Sequence, residues 1–144
     1  MAQFVVPAPE SEAADLSGDA VTIGEALEVA AVDKPVSRSD AAAVQAAEAR
    51  ATGLGGTVPG GVAADTQAAA ESNARAVNNE DKVKLSDVLT DATTRLPKDK
   101  VVTREDAERV KAAEEKNNPD DQEDEGGVAM AVEAASRMNR PGIV

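Results

Sequence analysis

The amino-acid sequence predicts a mainly α-helical protein of two helical repeats, about three helices each, with substantial intrinsic disorder in dilute water. Three observations carry that prediction. Two stretches read almost alike: DKPVSRSDAAAVQAAEAR from Asp33 and DKVVTREDAERVKAAEEK from Asp99. Alanine supplies about half of the 42% hydrophobic fraction, so the chain is rich in helix formers. Leu, Ile, Val and Phe together make up roughly 19% of residues at a net charge of -12, just under the ~20% level that accompanies disorder in a highly charged chain. A buried Ala methyl contributes on the order of 0.8 kcal/mol. Ordering one residue costs about 1–2 kcal/mol of backbone entropy. Strong helix formers with weak apolar glue therefore predict marginal tertiary structure in water.

Taken in order, residues 1–21 read as a tail, in which VVPAPESEAADLSGD mixes Pro, acids and small residues without a helical period. Thr22 stands three residues before Glu25 in a capping-box arrangement. Ile23, Ala26, Leu27 and Ala30 follow on one helical face until Asp33, Lys34 and Pro35 break it. Ser37, three before Asp40, opens a second helix through about Arg50, with Val44, Ala47 and Ala51 on one face. TGLGGTVPGG reads as a loop, and VAADTQAAAESNARA as a third, weakly patterned helix.

The same order then returns. KLSDVLTDATTRL carries Leu85, Val88, Leu89 and Ala92 on one face and reads as a single helix ending at Pro97. Thr103, three before Asp106, opens the next helix, with Val110 and Ala113 inside it. NNPDDQEDEGG is a loop, and VAMAVEAASRMN a last helix before Pro141. At an offset of 66, 17 of the 42 positions from Asp33 to Ala74 are identical, which marks a true internal repeat. The first helices align only after a gap of about four residues near Leu96–Pro97. The expected organisation is a tail at 1–21, a first unit at 22–78, a second at 79–140 and a tail at 141–144.

Composition also removes function classes. With no Cys and no His, disulfides, thiol nucleophiles, histidine catalysis and ordinary zinc sites are excluded. The acidic balance has the wrong sign for general nucleic-acid binding or docking on anionic lipid. MAQFVVPAPESEA lacks the basic start and long apolar run of a secretory leader, and no stretch nears the ~20 apolar residues that span a bilayer.

Three segments invite a chemical reading. Asp120, Asp121, Glu123, Asp124 and Glu125 form an acid run, but without the alternating ligand spacing and internal turn glycine of a calcium loop. It reads as a solvated acidic loop. GLGGTVPGG lacks the Gly-Lys-Ser/Thr ending of a phosphate loop. The pairs Gly60–Gly61 and Gly126–Gly127 read instead as flexible entries to each third helix. Carboxylate pairs such as Asp120–Asp121 have no pocket to desolvate and tune them. No catalytic, cofactor-binding or metal residue is assigned, and no cofactor.

The words TIGEALE, DKPV, SDAAAVQAAEARATG, PGGVAA and KVKLSDVLTDATTRLPKDKVVTREDAE, followed by NNP and GGVA, resemble the seed maturation protein family of the late embryogenesis abundant proteins of plants. The resemblance covers about residues 22–140. It implies a protein made in maturing seeds and under water deficit, with a proposed role in protecting other macromolecules during drying, placed in the cytoplasm and nucleus. No catalytic residues are established for the family. Its members commonly carry three such units, where two are found here, and Glu125 stands in the second unit where the first has Pro59.

The function expected is a non-enzymatic desiccation protectant that forms helices conditionally. Ile23, Leu27, Leu85, Val88 and Leu89 would anchor weakly amphipathic helices over exposed apolar patches of clients. Contacts with client proteins would be transient and of low specificity. The alternative is a constitutively folded acidic helical module for protein interaction. The sequence leaves oligomeric state open.

Overall fold

The structure is a computed structural model that describes residues 20–53, 58–117 and 127–139. The expected tails, the acid run at 120–125 and Gly126 fall outside these residues or almost wholly so. Among the described residues the chain is helical, with seven α-helices, one 3-10 turn at Asn79–Asp81 and no strand.

The first copy supplies α1 (Ile23–Val29), α2 (Arg38–Thr52) and α3 (Val62–Arg75). Helices α1 and α2 start where local chemistry supplies a cap. Thr22 and Ser37 close capping boxes with Glu25 and Asp40, satisfying backbone N–H groups that a helix start leaves without partners. The buried face of α2 runs Asp40, Ala43, Val44, Ala47, Glu48 and Ala51, the three- and four-residue spacing of one helical stripe.

The second copy differs from the single first helix expected of it. KLSDVLTDATTRL forms two short helices, α4 (Leu85–Leu89) and α5 (Ala92–Arg95), broken at Thr90 and Asp91. Asp91 leaves helical geometry, with φ -115 and ψ 34. The four-residue α5 accounts for the gap in the repeat. Ile23 corresponds to Leu85 at an offset of 62, and Asp33 to Asp99 at 66. Then follow α6 (Arg104–Lys116), capped by a box of Thr103 and Asp106, and α7 (Val128–Met138).

The helices close one core shared by both copies. The equivalent helices α2 and α6 pack against each other, α3 lies on α2, and α7 lies on α6. The first helices cross over: α1 packs on α5 and α7 of the second copy, and α4 on α3 of the first. Ile23, Leu27, Val44, Val62, Leu85, Leu89, Val110, Val128 and Val132 are fully buried. Buried alanines, among them Ala43 and Ala47 on α2 and Ala107 on α6, fill much of the remainder. Small side chains let the helices approach closely, so the alanine that weakens burial per residue also permits the packing.

Candidate functional site

Of the polar positions that repeat identically between the copies at an offset of 66, four make matching contacts: Lys34 and Lys100, Asp40 and Asp106, Glu48 and Glu114, Asn73 and Asn139. The structure gives both members of each pair the same task. They are where the charge and polarity inside the fold concentrate.

Asp40 and Asp106 are fully buried at the third position of α2 and α6. Each accepts from the backbone N–H of its capping residue, Ser37 or Thr103, at 3.0 Å. Each also takes a lysine six residues upstream: Lys34 Nζ lies 2.6 Å from Asp40, and Lys100 Nζ pairs with Asp106. Arg50, from the first copy, donates to Asp106 at 2.7 Å. Burial alone pushes the Asp106 carboxyl pKa up. The hydrogen bonds from Lys100, Thr103 and Arg50 outweigh it and hold the group below the usual carboxylate range. The same contact raises the Arg50 pKa.

Glu48 and Glu114 cap a helix other than their own. Gly61 and Gly127, the residues before α3 and α7, have no side chain to cap with. The buried Glu48 carboxylate accepts from Val58 N at 3.2 Å and Ala63 N at 3.3 Å. Glu114 accepts from Ala129 N at 3.0 Å. A carboxylate at a helix N-terminus is favoured by the exposed N–H groups and the dipole there. A Cβ on Gly61 would lie 2.7 Å from a Glu48 carboxylate oxygen, and Gly60 turns through φ +72 just before it. Gly61 therefore does more than give a flexible entry, because it makes room for the carboxylate, while Gly60 supplies the left-handed turn.

Asn73 and Asn139 clamp the crossings. Asn73 Nδ2 donates to Val36 O and Val83 O, and its Oδ1 accepts from Val83 N at 2.8 Å. Asn139 Nδ2 donates to Val21 O and Val102 O, and its Oδ1 accepts from Val21 N at 2.7 Å. Each asparagine thus joins an extended segment of its own copy to one of the other.

Among the described residues no group of three or more acidic, Cys or His side chains is placed to hold a metal ion. No described helix is long and apolar enough to cross a membrane. The acid run Asp120–Glu125 lies outside the described residues, as does most of GLGG. The five anchors expected to cover clients, Ile23, Leu27, Leu85, Val88 and Leu89, are all buried in the protein's own core. In this fold they are not presented. Among the described residues the exposed large apolar side chains are Val29, Val32, Val77, Met130 and Met138. Helix-start reasoning found Asp40 and Asp106 but missed the roles of Glu48 and Glu114 and of Asn73 and Asn139. Their identity between the copies was visible in the sequence, but so was that of Asp33 with Asp99 and Arg38 with Arg104, which include exposed side chains, so identity alone did not mark them.

The two-copy arrangement matches one known family. The sequence model described as "Seed maturation protein" fits residues 21–76 and again 83–141, once per copy. The chain belongs to the seed maturation protein family. Late embryogenesis abundant protein D-34 of Gossypium hirsutum is 53% identical over 92% of this chain and 52% of its own length. Late embryogenesis abundant protein 31 of Arabidopsis thaliana is 49% identical over 95% of this chain and 56% of its own. Late embryogenesis abundant protein 3 of Arabidopsis thaliana is 54% identical over 86% of this chain and 70% of its own. The chain thus spans about half the length of the first two relatives. No solved structure matches it at a significant level.

Proposed function

We propose that this seed maturation protein is a non-enzymatic desiccation protectant whose fold is conditional on water. The observation that carries this reading is the family match over both copies, with relatives named late embryogenesis abundant proteins. Composition supports the physical side. In dilute water the chain is largely disordered, because few large apolar side chains oppose the entropy of ordering and the net charge of -12 repels itself. As water is withdrawn, backbone amides lose their competing partner and intrachain hydrogen bonds win. The capping residues determine where the helices then start.

Protection has three parts. The charged, hydrated chain acts as a spacer between client molecules. Its polar side chains replace lost water at client surfaces. Its apolar side chains make transient, low-specificity contacts with clients. The buried state of Ile23, Leu27, Leu85, Val88 and Leu89 refines the third part: these residues serve clients only while the core is open, and on closure the contacts pass to exposed side chains such as Met130 and Met138. The cytoplasm and nucleus are the proposed locations.

The test dries a labile enzyme with the full chain or with an equal mass of serum albumin. Activity recovered after rehydration is expected to be higher with the chain, and recovery equal to that with albumin contradicts specific protection. A second reading, a constitutively folded helical interaction module, is favoured by one observation. The core closes with cross-copy clamps at both Asn73 and Asn139. That reading requires high helicity and a sharp melt in plain dilute buffer.

A further inference from the structure

The bonds that join the two copies run reciprocally. Ile23 N donates to Lys100 O, and Leu85 N donates to Lys34 O, both at 2.8 Å. Val36 N donates to Val83 O, and Val102 N to Val21 O, both at 3.0 Å. Two antiparallel bridges result, Thr22 with Val101 and Pro35 with Lys84. With the Asn73 and Asn139 clamps and the Arg50–Asp106 pair, each copy holds the segment that opens the other.

The first helices cannot persist alone. They span seven residues in α1 and five in α4, whereas isolated helices under ~12–15 residues are marginal in water. Between the copies runs only a short connection. Helix α3 ends at Arg75, Ala76 is extended, and Val77 is 91% exposed. Nothing in the joining contacts depends on the two copies lying in one chain.

We propose that this copy-to-copy interface also forms between chains. The first copy of one molecule pairs with the second copy of another, and the reverse, giving a closed exchanged dimer. The partner is a second copy of this chain. Exchange reproduces every hydrogen bond above and alters only the path of the connection, the condition under which domain swapping is a low-cost route to a dimer. The balance is then set by concentration. A tethered mate is present at an effective millimolar concentration for a short linker, and drying carries the chain to that range and past it. The proposal rests on the fold and not on the protective role.

The chain has no cysteine, so introduced ones report cleanly. Full-length Pro35→Cys and Lys84→Cys chains are mixed, dried, rehydrated and oxidised. Pro35 and Lys84 face each other across a bridge, so exchange is expected to give a mixed disulfide dimer several-fold above that from Pro35→Cys with Met130→Cys, a pair that includes an exposed position on α7. Equal yields from the two mixtures overturn the proposal. A double Pro35→Cys, Lys84→Cys chain, oxidised first as a dilute monomer under folding osmolyte, is expected to stay monomeric through drying while the unsubstituted chain dimerises. Equal dimer from the locked and unsubstituted chains also overturns it. The enzyme-drying assay is read separately, so either result stands whatever the other shows.

Discussion

Asn73 fills two carbonyls and one N–H with a single amide, so no shorter side chain can replace it. Replacing it with Ala leaves buried backbone groups without partners, at a cost of about 1–3 kcal/mol for such a group. Asn73→Ala is therefore expected to lower stability by about 2 kcal/mol, read as a shift in the osmolyte concentration needed to fold the chain. Asn139→Ala should match it, because its three bonds are equivalent.

Asp106 gives a pH dependence whose sign is fixed. An unfolded Asp takes its proton near pH 3.9, and the folded one only at lower pH. Between those values the unfolded state binds more protons, so stability rises with pH. The contribution is full above about pH 5 and is lost as pH falls through about 4 toward the depressed folded value. Acid titration of the folded chain under osmolyte should show this loss, and Asp106→Asn should flatten that arm of the curve. An unchanged slope in the variant would show that Asp106 does not supply it.

Among the elements, α3 and α7 take their N-terminal caps from neighbouring helices. Glu48→Ala removes the acceptor for Val58 N and Ala63 N, and is expected to cost about 1–2 kcal/mol, the range for losing a helix cap. Gly61→Ala should destabilise as well, because its Cβ would crowd the same carboxylate and the Val58 carbonyl. Both effects are checked by urea unfolding under osmolyte. If Gly61→Ala is neutral, the close approach does not matter.

Which elements the sequence revealed follows from how local their causes are. The starts of α1, α2 and α6 were legible because each cap and its partner lie three residues apart. The break between α4 and α5 was not, because Leu85, Val88, Leu89 and Ala92 keep helical spacing across it. What holds the break open is remote. Glu28, 65 residues away, takes both the backbone N–H and the hydroxyl of Thr93. The Glu48 and Asn73 roles were hidden for the same reason, since their partners lie 10 to 37 residues off.

At the scale of the whole molecule, two copies that read in sequence as successive units close a single core. The shortest helices dock across the boundary, and the clamps tie each copy to the other's opening segment. A shared core of this kind predicts that folding is one event or none. A chain with little apolar surface per residue gains most burial when both copies close together, and the proposed conditional fold would on that account respond to small changes in water activity. Osmolytes that are excluded from protein surface favour burial, and so stand in for drying in a measurable solution.

The most direct measurement is helicity by circular dichroism as trimethylamine oxide is added to the dilute chain, for the natural sequence and for Asn139→Ala. A conditional fold predicts low helicity at the start, and a core shared by the two copies predicts one cooperative rise. It also predicts that the single change in the second copy moves the whole rise to higher osmolyte. High helicity before any osmolyte, or a gradual rise in which Asn139→Ala affects only part of the signal, would contradict a conditional fold shared by the two copies.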